Sequence, residues 1–167
     1  MGKRSITQII RRGMFSGALT VLFGLPVAAQ AAASCAVESI SLKGSWGTAQ
    51  FNVEVADEPE EQALGLMHRT EMALASGMYF INDRPRRTSF WMRNTLIPLD
   101  MLFIDASGVV KHIHHNAIPL DETPINGGRG ILTVLEINGG LAAKLGITVG
   151  SQVRHPAHSD WDPVWPC

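Results

Sequence analysis

The chain has 167 residues, 46% of them hydrophobic and 17% charged, with a formal net charge of −1 and two Cys. That is the length of one domain, and enough chain to bury a core without staples. The composition excludes a disordered chain, a disulfide-dense scaffold and a four-thiolate zinc site, and near-neutral charge argues against a nucleic-acid binder.

Residues 1–31 read as a secretory leader. Lys3, Arg4, Arg11 and Arg12 precede the uncharged apolar run Met14–Val27, and Ala29-Gln30-Ala31 supplies a small-x-small cleavage pattern. The apolar run is shorter than the roughly 20 residues that span a bilayer. The leader holds four of the 14 Lys and Arg and none of the 15 acids, so 10 bases face 15 acids afterwards, a net charge of −5. The expected location is outside the cytoplasm, periplasmic or extracellular. Cys35 has two possible fates there. Ala32-Ala33-Ser34-Cys35 faintly resembles a lipoprotein box, and lipidation would tether the protein to a membrane. A disulfide to Cys167, the last residue, is the favoured alternative in an oxidising compartment.

One globular domain is expected over residues 32–154, followed by an irregular tail, 155–167, that is rich in Pro. Phe51, Val53 and Val55 alternate with polar residues, which predicts a half-exposed strand. Ser39–Lys43 is its hairpin partner through Gly44–Gly47. Asp57 is placed to cap a helix with Pro59 and three acids in its first turn, running to about Leu66 or Met67. Strands are predicted at Gly77–Ile81, Thr88–Arg93, Asp100–Asp105, Val109–Asn116 and Ile131–Asn138. The third and fourth of these join through Asp105-Ala106-Ser107-Gly108. Asn138 is placed to cap a short helix, Gly139–Leu145, which Gly146 ends, and Ser151–Arg154 is a last strand. Gly127-Gly128 reads as a turn. The fold class is α+β: a compact β-rich domain with a strongly curved sheet or small barrel and two short helices.

GLMHR (Gly65–Arg69), GMYF (Gly77–Phe80), FWMRNTLIPLDMLFID (Phe90–Asp105), Pro119 and VLEINGG (Val134–Gly140) resemble the domain-of-unknown-function family 192 over about Ile40 to Val153. The resemblance implies a compact β-rich α+β domain, often exported, and assigns no activity. Arg93 stands where the family pattern usually has Lys, which keeps the charge and adds a planar bidentate donor.

On a strand, Trp91 and Arg93 would share one face and Phe90, Met92 and Asn94 the other. Donors gather where that strand ends. The expected ligand site is therefore a pocket around this strand end, drawing on Arg69, Trp91, Arg93, Asn94, Asp100 and Glu136. The competing possibility is an internal network in which Arg93 pairs with Asp100 or Glu136 and Trp91 is core. Glu136 shares a face with Leu132 and Val134. It pairs with Arg69 or Arg93, or carries a raised pKa, or, if the other face is the buried one, is solvated. Arg84, Arg86 and Arg87 read as a solvated turn that could guide an anion toward the Phe90–Thr95 strand.

His112 and His114 would face the same side of a strand, at the spacing of two ligands to copper or zinc. His155, His158 and Asp160 form a second set, and Met67, Met72, Met78, Met92 and Met101 could supply thioethers. None of these matches a fixed metal signature, and no nucleophile elbow, dinucleotide fingerprint or phosphate loop is present. Three functions follow in order of preference. The first is an exported small-ligand-binding or accessory module without a cofactor, whose partner is a small molecule or another envelope protein. The second is an envelope hydrolase with Glu136 or Asp100 as general base. The third is metal binding through His112 and His114.

Overall fold

The computed structural model describes residues 35–167; the expected leader, residues 1–31, lies outside them. Seven strands form one strongly curled sheet in the order β5-β4-β6-β3-β2-β1-β7. β1 (Ser39–Gly44) and β2 (Gly47–Ala56) make the expected antiparallel hairpin, closed at Gly44 and Gly47. The helix α1 (Pro59–Leu64) carries the chain over to β3 (Ser76–Phe90), which lies parallel to β2. Glu58, one residue beyond the expected cap, starts α1: its side chain accepts from the Glu61 amide, and Glu61 accepts in return from the Glu58 amide.

β4 (Leu99–Asp105) and β5 (Val110–Ala117) form a second hairpin, and β6 (Ile125–Asn138) inserts antiparallel between β4 and β3. The helix α2 (Leu141–Leu145) and β7 (Gln152–Arg154) complete the domain. The two edges of the sheet meet at one end. Val109 bridges Gln152, the Val110 amide donates to Ser151 and the Gly150 amide donates to Val110, both at 2.9 Å. Curling removes part of the unpaired edge that an open sheet exposes.

Two strands are longer than expected. β3 runs through Pro85, where the sequence suggests a break. Its pairing with β6 shifts register between Ile81 and Arg86 and again by Thr88, and a bulged ladder tolerates a proline. Gly127-Gly128 lies inside β6, not in a loop. Gly127 lets the Phe103 ring pack against its backbone, because a Cβ there would overlap that ring. The central strands are buried on both faces. One face packs Tyr79, Leu102, Leu135 and Ile137 with β1, β2 and α2. The other packs Met78, Phe80, Met101, Phe103 and Val134 with Leu66 and Met92.

The tail is more ordered than its prolines suggest. Pro156–Trp161 forms a 3₁₀ helix started by His155, whose Nδ1 accepts from the Ala157 amide. Trp165 lies under the cations of Lys43 and Arg154, and Cys35 and Cys167 form the favoured disulfide with Cα atoms 5.6 Å apart.

Candidate ligand-binding site

The second core face does not close completely. A cavity of about 340 Å³ opens where α1 and the following turn, the bulged part of β3 and the loop after β3 come together over β6. Phe80, Phe90 and Val134 supply apolar wall. α1 contributes Gln62 and Leu64. The Gln62 amide fastens this side by donating to the Ile81 carbonyl at 2.7 Å.

Glu136 lies in this wall and is 4% exposed. Its sheet neighbours are Met78 on β3 and Met101 on β4, both buried. Among the described residues no cation pairs with Glu136. Its side chain makes no hydrogen bond there, and no fully buried side-chain polar atom is left without a partner, so the carboxyl oxygens open onto the cavity. Burial alone pushes its carboxyl up to about 8, so at neutral pH it is mostly the uncharged acid. The expected pairing with Arg69 or Arg93 is not formed. Arg69 is taken by Glu54 in a bidentate ion pair away from the cavity, and Arg93 lies over the Trp91 ring, its Cζ 5.4 Å from the ring centre.

Arg86, Arg87 and Arg93 are exposed guanidinium groups at the cavity wall, and none forms an ion pair among the described residues. Arg86 and Arg87 sit where β3 and β6 lose register. A bulge there redirects side chains that a regular strand would alternate across the sheet. These two residues read as a solvated turn in the sequence, yet they line the same cavity as Trp91 and Glu136. Asn82 and Thr88 line it as well. Both are buried, and the Asn82 amide donates to the Ile131 carbonyl at 3.3 Å and to Thr88 at 3.4 Å. Sequence reasoning missed Asn82 although Met78, Phe80 and Asn82 continue one strand face, which marks a polar residue on an apolar row.

The FWMRNT segment is not a strand beyond Phe90. The Met92 amide donates to the Asp121 carbonyl, and the Thr95 amide turns back to Met92 at 3.1 Å. Met92 is buried while Trp91 is 46% exposed. Asn94 takes a left-handed backbone (φ 54°), which Asn adopts more readily than most residues, and its carbonyl accepts from the His68 amide at 2.8 Å. Asn94 thus ties the loop to the turn after α1 and does not line the cavity.

Asp100 is also absent from the cavity. Its carboxylate is fully buried and accepts three backbone amides, from Asn116 at 2.7 Å, Gly140 at 2.9 Å and Ala142 at 2.7 Å. It does the capping of α2 that the sequence assigns to Asn138, so neither a bond to Arg93 nor general-base work is open to it. The Asn138 amide instead donates to the Ala73 carbonyl at 3.0 Å.

His112 stacks on Phe103 with ring centres 5.6 Å apart, and His114 lines a separate small hollow with Met92 and Asp121. Among the described residues no group of three or more His, Cys, Asp or Glu is arranged to hold a metal. His155 and His158 are structural. His155 Nε2 lies 2.7 Å from the Val37 carbonyl, and His158 lies between Tyr79 and the Ala106 carbonyl. Burial holds both imidazoles below their usual pKa.

A curled seven-stranded sheet with an arginine-rimmed cavity beside a buried, unpaired carboxyl is thus the frame of this protein. The chain belongs to the DUF192 family: the family model, described as "Uncharacterized ACR", matches residues 40–155. Two solved structures are similar to it. A protein of unknown function from Novosphingobium aromaticivorans DSM 12444 is 45% identical with a TM-score of 0.68, covering 73% of this chain and 93% of that one. A protein from Sinorhizobium meliloti 1021, provisionally described as a transcription regulator, is 39% identical with a TM-score of 0.68, covering 72% of this chain and 94% of that one. No curated protein matches the chain.

Proposed function

We propose that this protein is an exported small-molecule-binding module, and that the cavity over β6 takes a small ligand bearing an acidic group. One observation carries the proposal: three guanidinium groups without ion-pair partners among the described residues line the same cavity of about 340 Å³ as a buried carboxyl without one. Unused donors of this kind are suited to a carboxylate or phosphate, and the exposed Trp91 offers flat apolar area beside them. Export is supported by the leader pattern of residues 1–31 and by the disulfide, which persists in oxidising compartments. The acidic balance of −5 after the leader supports a small ligand over a nucleic acid.

A ligand-observed NMR screen of small carboxylates and phosphates tests this. Binders are expected, and their affinity should fall about tenfold or more in Arg86→Ala or Arg93→Ala, as a charged hydrogen bond is worth roughly 1.5–3 kcal/mol. Binding that is indifferent to all three arginines would refute it.

The hydrolase alternative keeps Glu136 and loses Asp100. An uncharged acid in an open cavity favours general-acid work. Against it, among the described residues the cavity wall holds no second carboxylate for a glycosidase pair, and no His beside Thr88, Ser89 or Thr95 to activate a hydroxyl. Turnover of a glycoside or ester that Glu136→Gln abolishes would favour this alternative over simple binding.

A further inference from the structure

Glu136 is more than nine-tenths buried, faces an open cavity and has no ion-pair partner among the described residues. A ligand with only an acidic group would satisfy Arg86, Arg87 and Arg93 and leave this carboxyl as it is. The charged groups that line the cavity with Glu136 are Arg86 and Arg87 from β3 and Arg93 from the loop after it; α1 brings Gln62, and the flanking positions of β3 and β4 are Met78 and Met101. None of the three arginines forms an ion pair with Glu136. The cavity is therefore dipolar, with cations on exposed side chains and one acidic group set in the buried sheet, and it lacks a cation beside that acid.

We propose that the ligand is a zwitterion of the amino-acid type, a free amino acid or a short peptide, whose ammonium group meets Glu136 while its carboxylate meets the guanidinium groups of Arg86, Arg87 and Arg93. This rests on the ligand-binding function above and specifies the second half of the site. A metal ion is a poorer occupant, because among the described residues Glu136 is the only His, Cys, Asp or Glu in the cavity wall.

The pairing has a proton balance. Before binding, Glu136 holds a proton at neutral pH, since burial raises its pKa to about 8. An ammonium beside it favours the carboxylate, so the proton leaves Glu136 for the buffer as the ion pair forms, and no covalent bond changes in the ligand.

Isothermal calorimetry near pH 7 tests this with the common L-amino acids and Ala-Ala as probes. Each is compared with its N-acetyl form, and each titration is repeated in buffers of different ionisation enthalpy. The expected result is that at least one free amino acid or Ala-Ala binds at least tenfold tighter than its N-acetyl form and releases close to one proton. In Glu136→Gln the release should vanish and the preference for the free amine should collapse. N-acetyl forms binding as tightly as free ones in the unmodified protein would overturn the zwitterion. So would failure of every probe to bind at 10 mM. In each of these cases arginine-dependent binding of other carboxylates or phosphates would leave the ligand-binding function standing, and its absence would remove both.

Discussion

Glu136→Gln is the substitution whose effect follows most directly from the geometry. The folded protein holds the Glu136 proton up to about pH 8, whereas the unfolded chain releases it near the ordinary value of 4.5. Between those values the folded state binds the extra proton. Stability from this group is therefore fully present below about 4.5 and is lost as pH rises toward 8. At roughly 1.4 kcal/mol per pH unit, raising pH from near 5 to near 8 should cost on the order of 3–4 kcal/mol. Gln has nearly the same shape and no charge, so the variant lacks this slope. Urea unfolding of both proteins across the range gives the difference in stability between variant and wild type. Other titrating groups drop out of that difference, including His155 and His158, whose lowered pKa values remove stability as pH falls through their own range. The difference should grow in favour of the variant by roughly 3–4 kcal/mol from low to high pH. A flat difference would mean that Glu136 is solvated or paired in solution, and both the cavity chemistry and the proton release would fall with it.

Other consequences are independent of the ligand. Asp100→Ala strands three backbone amides and should lower stability by about 3–5 kcal/mol in denaturant unfolding while ligand affinity at the cavity stays unchanged; a loss of affinity in the folded variant would restore Asp100 to the site. Cys35→Ser with Cys167→Ser opens a loop spanning 132 residues and should cost about 4–5 kcal/mol by chain entropy, read from the same unfolding curves; a change under about 1 kcal/mol would show that the tail holds without the bond. Gly127→Ala drives a methyl into the Phe103 ring and should cost about 1–3 kcal/mol, with a lower melting temperature as the readout; an unchanged melting temperature would refute the close packing there.

Much of the fold was legible in local pattern. Alternation marks β2 as a half-exposed strand, the Gly44–Gly47 and Asp105–Gly108 turns each specify a hairpin, and both hairpins stand in the structure. The breaks were harder. Pro85 signals the end of a strand, but the bulged register lets β3 continue, and that decision depends on β6, which follows some 40 residues later. The FWMRNT segment deceives in the opposite way. Phe90 and Met92 alternate inward with Trp91 as strand residues do, yet the turn at Thr95 and the bond from Met92 to Asp121 make it a loop.

The site was legible in part. Period-two alternation turned Glu136 toward an apolar face, and Trp91 and Arg93 line the cavity with it. Partner choice was hidden, because it is decided by tertiary distance. Arg69 lies beside Glu54 on β2, and Asp100 lies beside the amides that open α2. Arg86 and Arg87 look like any exposed turn until the bulge brings them to the cavity.

The most direct test of the central claim is an amide and indole NMR titration of the labelled protein with its best binder from the acid and amino-acid screens. The account predicts the largest shift changes at Leu66, Thr88, the Trp91 indole and Glu136, which surround the cavity, and little change at His112 and Asp100. Saturable shifts centred on the His112–His115 strand or on the disulfide-bonded tail, with the cavity residues unmoved, would contradict it.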